Sequence, residues 1–255
     1  MSAQGKTVRG ALSLLLLGPF LMAVFVPFLW MVLGIFKTNA EFFQPLTRAF
    51  FPAHYELTRA FFPALYKWQN VAELLEGKWV PFWDVFANSL MVSLGQAFGA
   101  VALSAAAGYA FARFTFSGKR LLFVLAVALI LVPRQLFAVP LFSWVNELGL
   151  SDSLLGVILP GVVTGLGVIY FTQVFRQVPG EYLQAARICG ATELRVFLTV
   201  LPLVWPALLS YGMIHFILAW HEHLIPMLVL TSETKQTLPL ALAKLYDVSQ
   251  RTPQG

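Results

Sequence analysis

Five stretches of this chain are long and apolar enough to cross a lipid bilayer, and nothing else in it constrains the fold as strongly. A hydrocarbon core of roughly 30 Å takes about 20 apolar residues in a helix. Only helices or closed barrels can enter it, because no water is there to satisfy the backbone. Residues 11–36 carry no charge before Lys37, and residues 85–112 none before Arg113. Residues 121–146 hold one charge, Arg134. Residues 153–175 hold none before Arg176, and residues 196–230 hold Glu222 and three histidines. The expected fold is an all-α, polytopic transmembrane helix bundle with five spans. Of 255 residues, 58% are hydrophobic and only 11% charged. Soluble domains average about 25% charged residues, so a soluble fold is excluded, and a disordered chain is excluded by the same figures.

Residues 11–36 follow Lys6 and Arg9, as a signal peptide would, but they run to about twice the usual apolar length and lack a small-residue cleavage site. They read as an anchor. Lys and Arg mark the cytoplasmic side of a membrane protein. The N-terminal tail and the connections at 113–120 and 176–195 together carry eight bases against two acids, Glu181 and Glu193. Loop 37–84 balances five bases with five acids, and loop 147–152 carries only Glu147 and Asp152. The expectation is a multi-pass protein of the bacterial inner membrane with a cytoplasmic N-terminus. The formal charge of +5 does not gather on one water-facing surface, as a nucleic-acid partner would require. The single cysteine, Cys189, rules out an internal disulfide framework and a CxxC redox motif.

Loop 37–84, expected to be extracytoplasmic, contains a direct duplication: Thr47-Arg48-Ala49-Phe50-Phe51-Pro52-Ala53 recurs eleven residues later as Thr58-Arg59-Ala60-Phe61-Phe62-Pro63-Ala64. Two copies do not make a solenoid, and a tandem slip in an exposed loop is the simplest account. Residues 1–255 otherwise read as one membrane domain.

The most informative segment is Val178-Pro179-Gly180-Glu181-Tyr182-Leu183-Gln184-Ala185-Ala186-Arg187-Ile188-Cys189-Gly190-Ala191. Pro179 stops the preceding helix and can open the next. Glu181 then falls in a first turn, where a negative charge complements the helix dipole. Ala185 and Ala186 leave the middle of a short helix nearly bare, and Gly190 can end it with a positive φ. A second short helix runs to Pro202. Connections between packed helices usually take two to eight residues. Residues 177–199 form a much longer helix–turn–helix on the cytoplasmic face, of a kind suited to being gripped by another protein.

Glu181, Ala185, Ala186, Gly190 and Leu201-Pro202 resemble the EAA loop of binding-protein-dependent ABC-importer permeases, in particular the maltose-permease-like carbohydrate subfamily. Phe36-Lys37-Thr38, Asn88-Ser89-Leu90, Gly108-Tyr109-Ala110-Phe111-Ala112-Arg113-Phe114, Gly118-Lys119-Arg120, Pro140-Leu141, Leu148-Gly149-Leu150, Ala219-Trp220 and Thr237-Leu238-Pro239 fit the same family in order. Gln184 stands where the family usually has the Glu of its triplet, Cys189 where it has Asp, and the Gly190-to-Pro202 interval is one residue short. The resemblance also implies a sixth span and a Gly-rich tail, which do not follow residue 230 here. It implies a second permease subunit, a solute-binding protein outside, and an ABC ATPase dimer gripping the loop through Glu181, Ala185, Ala186, Arg187, Gly190 and Pro202. No GxxxxGK[ST] phosphate loop occurs in this chain, so ATP and Mg belong on the partner. No catalytic residue and no cofactor is expected in this chain. An ABC permease for another solute (amino acid, phosphate or peptide) is the first alternative. A secondary transporter is the second, though it would call for intramembrane acids and two related halves.

Polar residues inside the spans are candidates for a solute path. Arg134 lies about 20 Å into its span at 1.5 Å per residue and is followed by Gln135; a charge at that depth faces a cavity or a partner. After Trp220, itself a candidate, His221 and Glu222 fall where the family places an Asn–acid pair toward the substrate side, His221 in the Asn place and Glu222 in the acidic one. On a helix His221 and His223 diverge, so no metal site is expected. Gly95 and Gly99, in a GxxxG, and the small residues after them read as close helix packing.

Overall fold

The computed structural model describes residues 3–37, 63 and 66–251, with side chains at 17–37, 63, 66–133 and 135–245. All regular structure among them is helical. The loop duplication lies outside the described residues except for Pro63. Residues 1–78 and 79–255 form two units.

In the first unit α1 (Ala3–Gly34) runs through Pro19 and Pro27. Its side chains from Leu17 to Ile35 are almost all exposed, and they are Phe, Leu, Met and Val. A run like that is stable only against lipid or protein. The orphan carbonyls beyond its C-terminus are capped by Asn70, whose Nδ2 donates to the Ile35 and Lys37 carbonyls at 2.9 and 3.1 Å. Asn70 belongs to α2 (Gln69–Leu75), and Phe36 packs its ring against Tyr66 and Trp68.

In the second unit the mast is α3 (Phe82–Arg113), 32 residues long. Its buried positions, from Val85 through Asn88, Val92, Gln96, Ala100 and Ser104 to Gly108, recur every three or four residues, which is one helical face. Against it pack α6 (Leu154–Val162), α7 (Gly165–Gln177) and α10 (Trp205–Trp220). The remaining helices are α4 (Lys119–Leu131), α5 (Ala138–Glu147), α8 (Gly180–Ile188), α9 (Glu193–Val200), α11 (Leu224–Val229) and α12 (Leu238–Arg251). Two cores form along the mast. One joins Tyr109, Phe171, Phe175, Leu183, Val196 and Val200. The other joins Val92, Val145, Val157, Ile225, Leu230 and Leu240.

Three helices are long and apolar enough to cross a membrane, and two further pairs are bent spans, which gives up to five crossings. The bends depart from the straight spans expected. Residues 121–146 break at Val132–Pro133 by 99°, because the residue before proline is pushed out of the α region and Val132 is extended at φ −88°, ψ 120°. Arg134 begins a 3-10 turn, Arg134–Phe137, so a depth counted along a straight helix does not apply to it. Residues 153–175 bend by 47° between α6, which contains Pro160, and α7, whose N-cap Thr164 accepts from the Gly167 amide. Within the apolar stretch 196–230, which is longer than one straight span, α10 ends at Trp220. Glu222 accepts the Leu224 amide at 2.9 Å and closes the break, so His221, Glu222 and His223 lie between helices rather than on one. Before α10, α9 passes through a 3-10 turn at Leu201–Val204; Pro202 therefore bends a continuing helix instead of ending a separate one.

Candidate functional site

Two places gather functional chemistry. The first is the α8–α9 hairpin. Pro179 precedes α8 at φ −58° and Glu181 occupies its first turn. Gly190 stands at φ +77°, a conformation that favours glycine. Its amide donates to the Arg187 carbonyl at 2.9 Å and that of Ala191 to the Ala186 carbonyl at 3.1 Å, the two bonds of a Schellman turn. Leu183 is buried and Ala186 half-buried against the core, while Glu181, Tyr182, Gln184, Ala185 and Arg187 face outward and Ile188 is 86% exposed. The hairpin is braced across its open side. Arg187 donates to both carboxylate oxygens of Glu193, Nε to Oε1 at 2.8 Å and a terminal nitrogen to Oε2 at 3.2 Å, a bidentate fork. Tyr109 donates to Glu193 Oε2 at 3.4 Å. Arg113, at the foot of the mast, donates to the Phe175 and Val178 carbonyls, which ties the end of α7 to the start of the hairpin. The result is a rigid platform of small and apolar side chains rimmed by charge. Of the expected loop residues, Glu181, Ala185 and Arg187 lie on it, Ala186 and Gly190 set its shape, and Pro202 stands beyond it in the 3-10 turn.

The second place is a cleft of about 410 Å³ between the two cores, where the bends of two spans meet α3 and α10. Its polar walls are Gln96, Thr164, Tyr211 and His215; Ile130, Val132 and Phe137 are among its apolar ones. Among the described residues no Asp, Glu, Lys or Arg lines it. The break between α6 and α7 leaves the last carbonyls of α6, that of Gly161 among them, without helical partners. Gln96 Nε2 donates to the Val157 carbonyl at 3.0 Å, and His215 Nε2 lies 3.1 Å from that of Gly161. Tyr211 donates to Thr164 Oγ1 at 3.2 Å and stacks on the His215 ring. A Cβ at Gly161 would overlap the Gln96 amide, so that glycine is what lets the two approach.

Of the residues expected to line a path, Gln135, Trp220, His221 and Glu222 are not among those lining this cleft. Gln135 is exposed, and the Arg134 side chain lies outside the described residues. Trp220 packs on Phe86 and Phe216, the exposed His221 has its Nδ1 2.8 Å from the Ile217 carbonyl, and Glu222 caps α11. Sequence reasoning missed the cleft residues. The available signals were Tyr211 and His215 four apart on one face, and Pro160-Gly161 followed by Gly165, which together mark a breakable span. Among the described residues no group of three His, Cys, Asp or Glu side chains could hold a metal ion.

Residues 100–253 match the family model described as the binding-protein-dependent transport system inner membrane component. The chain belongs to that family. This inner membrane component is a transport subunit, not an enzyme. It is 30% identical over 246 residues to the arabinooligosaccharides transport system permease protein AraQ of Bacillus subtilis, covering 96% of this chain and 83% of that one. The protein of the same name from Halalkalibacterium halodurans is 33% identical over 175 residues, 68% of this chain and 61% of the relative. The trehalose transport system permease protein SugB of Mycobacterium tuberculosis is 34% identical over 174 residues, 66% of this chain and 64% of that one. This component thus spans less than two thirds of two of these relatives. A bacterial ABC transporter involved in the import of the polysaccharide alginate shares its fold, with a TM-score of 0.75 and 19% identity, over 100% of this chain and 84% of that one.

Proposed function

We propose that this chain is one of two permease subunits of an ATP-driven sugar importer, with its solute crossing at the Gln96–Thr164–Tyr211–His215 cleft. A separate ABC ATPase dimer, holding ATP and Mg, grips the α8–α9 platform, and an extracytoplasmic binding protein delivers the sugar. The observation that carries the reading is the braced platform: Glu181 and Ala185 are presented outward on a hairpin that the Arg187–Glu193 fork holds rigid. A lever of that kind transmits force only if it does not yield, and Tyr109 and Arg113 connect it to the mast. The sugar assignment is supported by the relatives' names and by the cleft's chemistry. Neutral hydrogen-bonding groups and an aromatic face suit a polyhydroxylated solute better than an ion. The cytoplasmic side of the platform, and with it of the N-terminus, follows from the distribution of Lys and Arg.

The test is purification of the tagged chain with its native partners and reconstitution into liposomes, assayed with labelled arabinooligosaccharides and trehalose. Uptake is expected to require ATP on the platform side and to survive collapse of the ion gradients. Gly190→Pro cannot adopt φ +77° and should release the ATPase while retaining the second permease. Uptake driven by a proton or sodium gradient without ATP would sink the reading.

A further inference from the structure

We propose that the cleft between α4 and the end of α7 is a binding site for one anionic phospholipid. The cleft measures about 1030 Å³ and is lined by Lys119, Arg120 and Arg176 together with Phe111, Phe116 and Phe123. It lies at the ends of membrane-crossing helices, where cationic headgroup sites between helices and apolar walls below them are what a lipid needs. The charge there is one-sided. Between Asp84 and Glu147, and between Asp152 and Glu181, the chain has no acid at all. Neither Arg120 nor Arg176 has an ion pair among the described residues, and Lys119 spends one donor on the Phe114 carbonyl, at 2.7 Å.

The local backbone adds a second reason. α4 begins at Gly118, φ +81°, with no side-chain cap, and its first turn holds Lys119 and Arg120 and no acid. Two cations at the positive end of a helix dipole oppose it, and an anion seated between them and the free amides removes the conflict. The phosphodiester therefore belongs between Lys119, Arg120 and Arg176. The acyl chains run along Phe111 of α3 and along Phe123 and Val124 of α4, a helix with no buried residue of its own. The site shares no lining residue with the solute cleft and includes none of the outward-facing platform residues, so its failure would leave the transport reading untouched.

Native mass spectrometry of the full chain, in whatever assembly it purifies with, tests the site by titration with phosphatidylglycerol, phosphatidylethanolamine and inorganic phosphate. One phosphatidylglycerol should bind in preference to phosphatidylethanolamine. Arg120→Gln with Arg176→Gln should weaken it about thirtyfold, from about fivefold per basic residue. Lys244→Gln, an exposed position on α12, should leave it unchanged. Arg120→Gln alone, an exposed substitution, should give about fivefold if the double variant is unstable. Equal binding of the two lipids, equal loss with Lys244→Gln, saturation by inorganic phosphate, or a protein chain crosslinked to position 120 in place of lipid would each overturn the proposal.

Discussion

Asp152 joins the loop after α5 to the loop after α11, and it does so from the left-handed region at φ +52°. Its Oδ1 accepts the Thr231 and Ser232 amides, each at 3.0 Å; its Oδ2 accepts the Ser232 hydroxyl at 2.6 Å and Lys235 Nζ at 3.0 Å. The hydroxyl and amide of Ser232, then Lys235, hold the carboxyl well below the usual carboxylate range. A depressed folded-state pKa means the clamp stabilises fully above the unfolded value of about 3.9. It is lost as the pH falls below that value toward the folded one. Asn tolerates the left-handed region, so Asp152→Asn isolates the charge. Its melting temperature in detergent should lie below that of the wild type at pH 7, with the gap closing from about pH 4 downward; a gap independent of pH would refute the clamp. Nothing in the sequence signals this residue. It reads as one of two acids in a short loop, and its partners are about 80 residues away.

At the scale of elements, glycine decides how closely the helices pack. At Gly108 a Cβ would stand 2.5 Å from the Phe171 Cβ and 2.7 Å from its backbone carbon, so α3 and α7 cross there nearly in backbone contact. Gly108→Leu should cost at least about 1–3 kcal/mol by overpacking and should reduce the fraction that elutes monodisperse. Gly118→Ala, where nothing lies within 4 Å, strains only its positive φ and should lose less. Gly95 and Gly99 were readable as a packing motif, and both do face α6, at Ile158 and Val162. The elements themselves were legible as charge-free runs, and the α8–α9 hairpin as Pro179, Glu181 and Gly190. The bends at 132–133 and 163–164 were not. A hydropathy pattern counts apolar residues, while a break depends also on whether distant groups such as His215, against the Gly161 carbonyl, arrive to satisfy the exposed backbone.

For the whole molecule, the orientation can be read with the one cysteine. Cys189 is exposed beside the platform turn, so an impermeant maleimide should label inverted vesicles and spare intact spheroplasts. Labelling of spheroplasts would place the platform outside and end the coupling proposal. Two segments far apart in sequence also come together. Asn88 donates to the Thr234 and Gln236 carbonyls at 2.7 and 3.1 Å, and Ser89 Oγ accepts the Leu238 amide at 2.7 Å. The polar face of α3 is thus an anchor for the segment leading into α12.

The sequence alone determined that this chain is an all-α membrane protein and that residues 177–199 form a helix–turn–helix. Lipid length, backbone saturation and local capping act on contiguous residues, and each leaves its mark in a short window. Only the tertiary structure decided where the polar cleft lies and what holds the hairpin stiff. Gln96 with Val157, Tyr211 with Thr164 and Tyr109 with Glu193 are partners from different helices. A buried polar group takes whichever partner the packing brings to it, and no local pattern names that partner in advance.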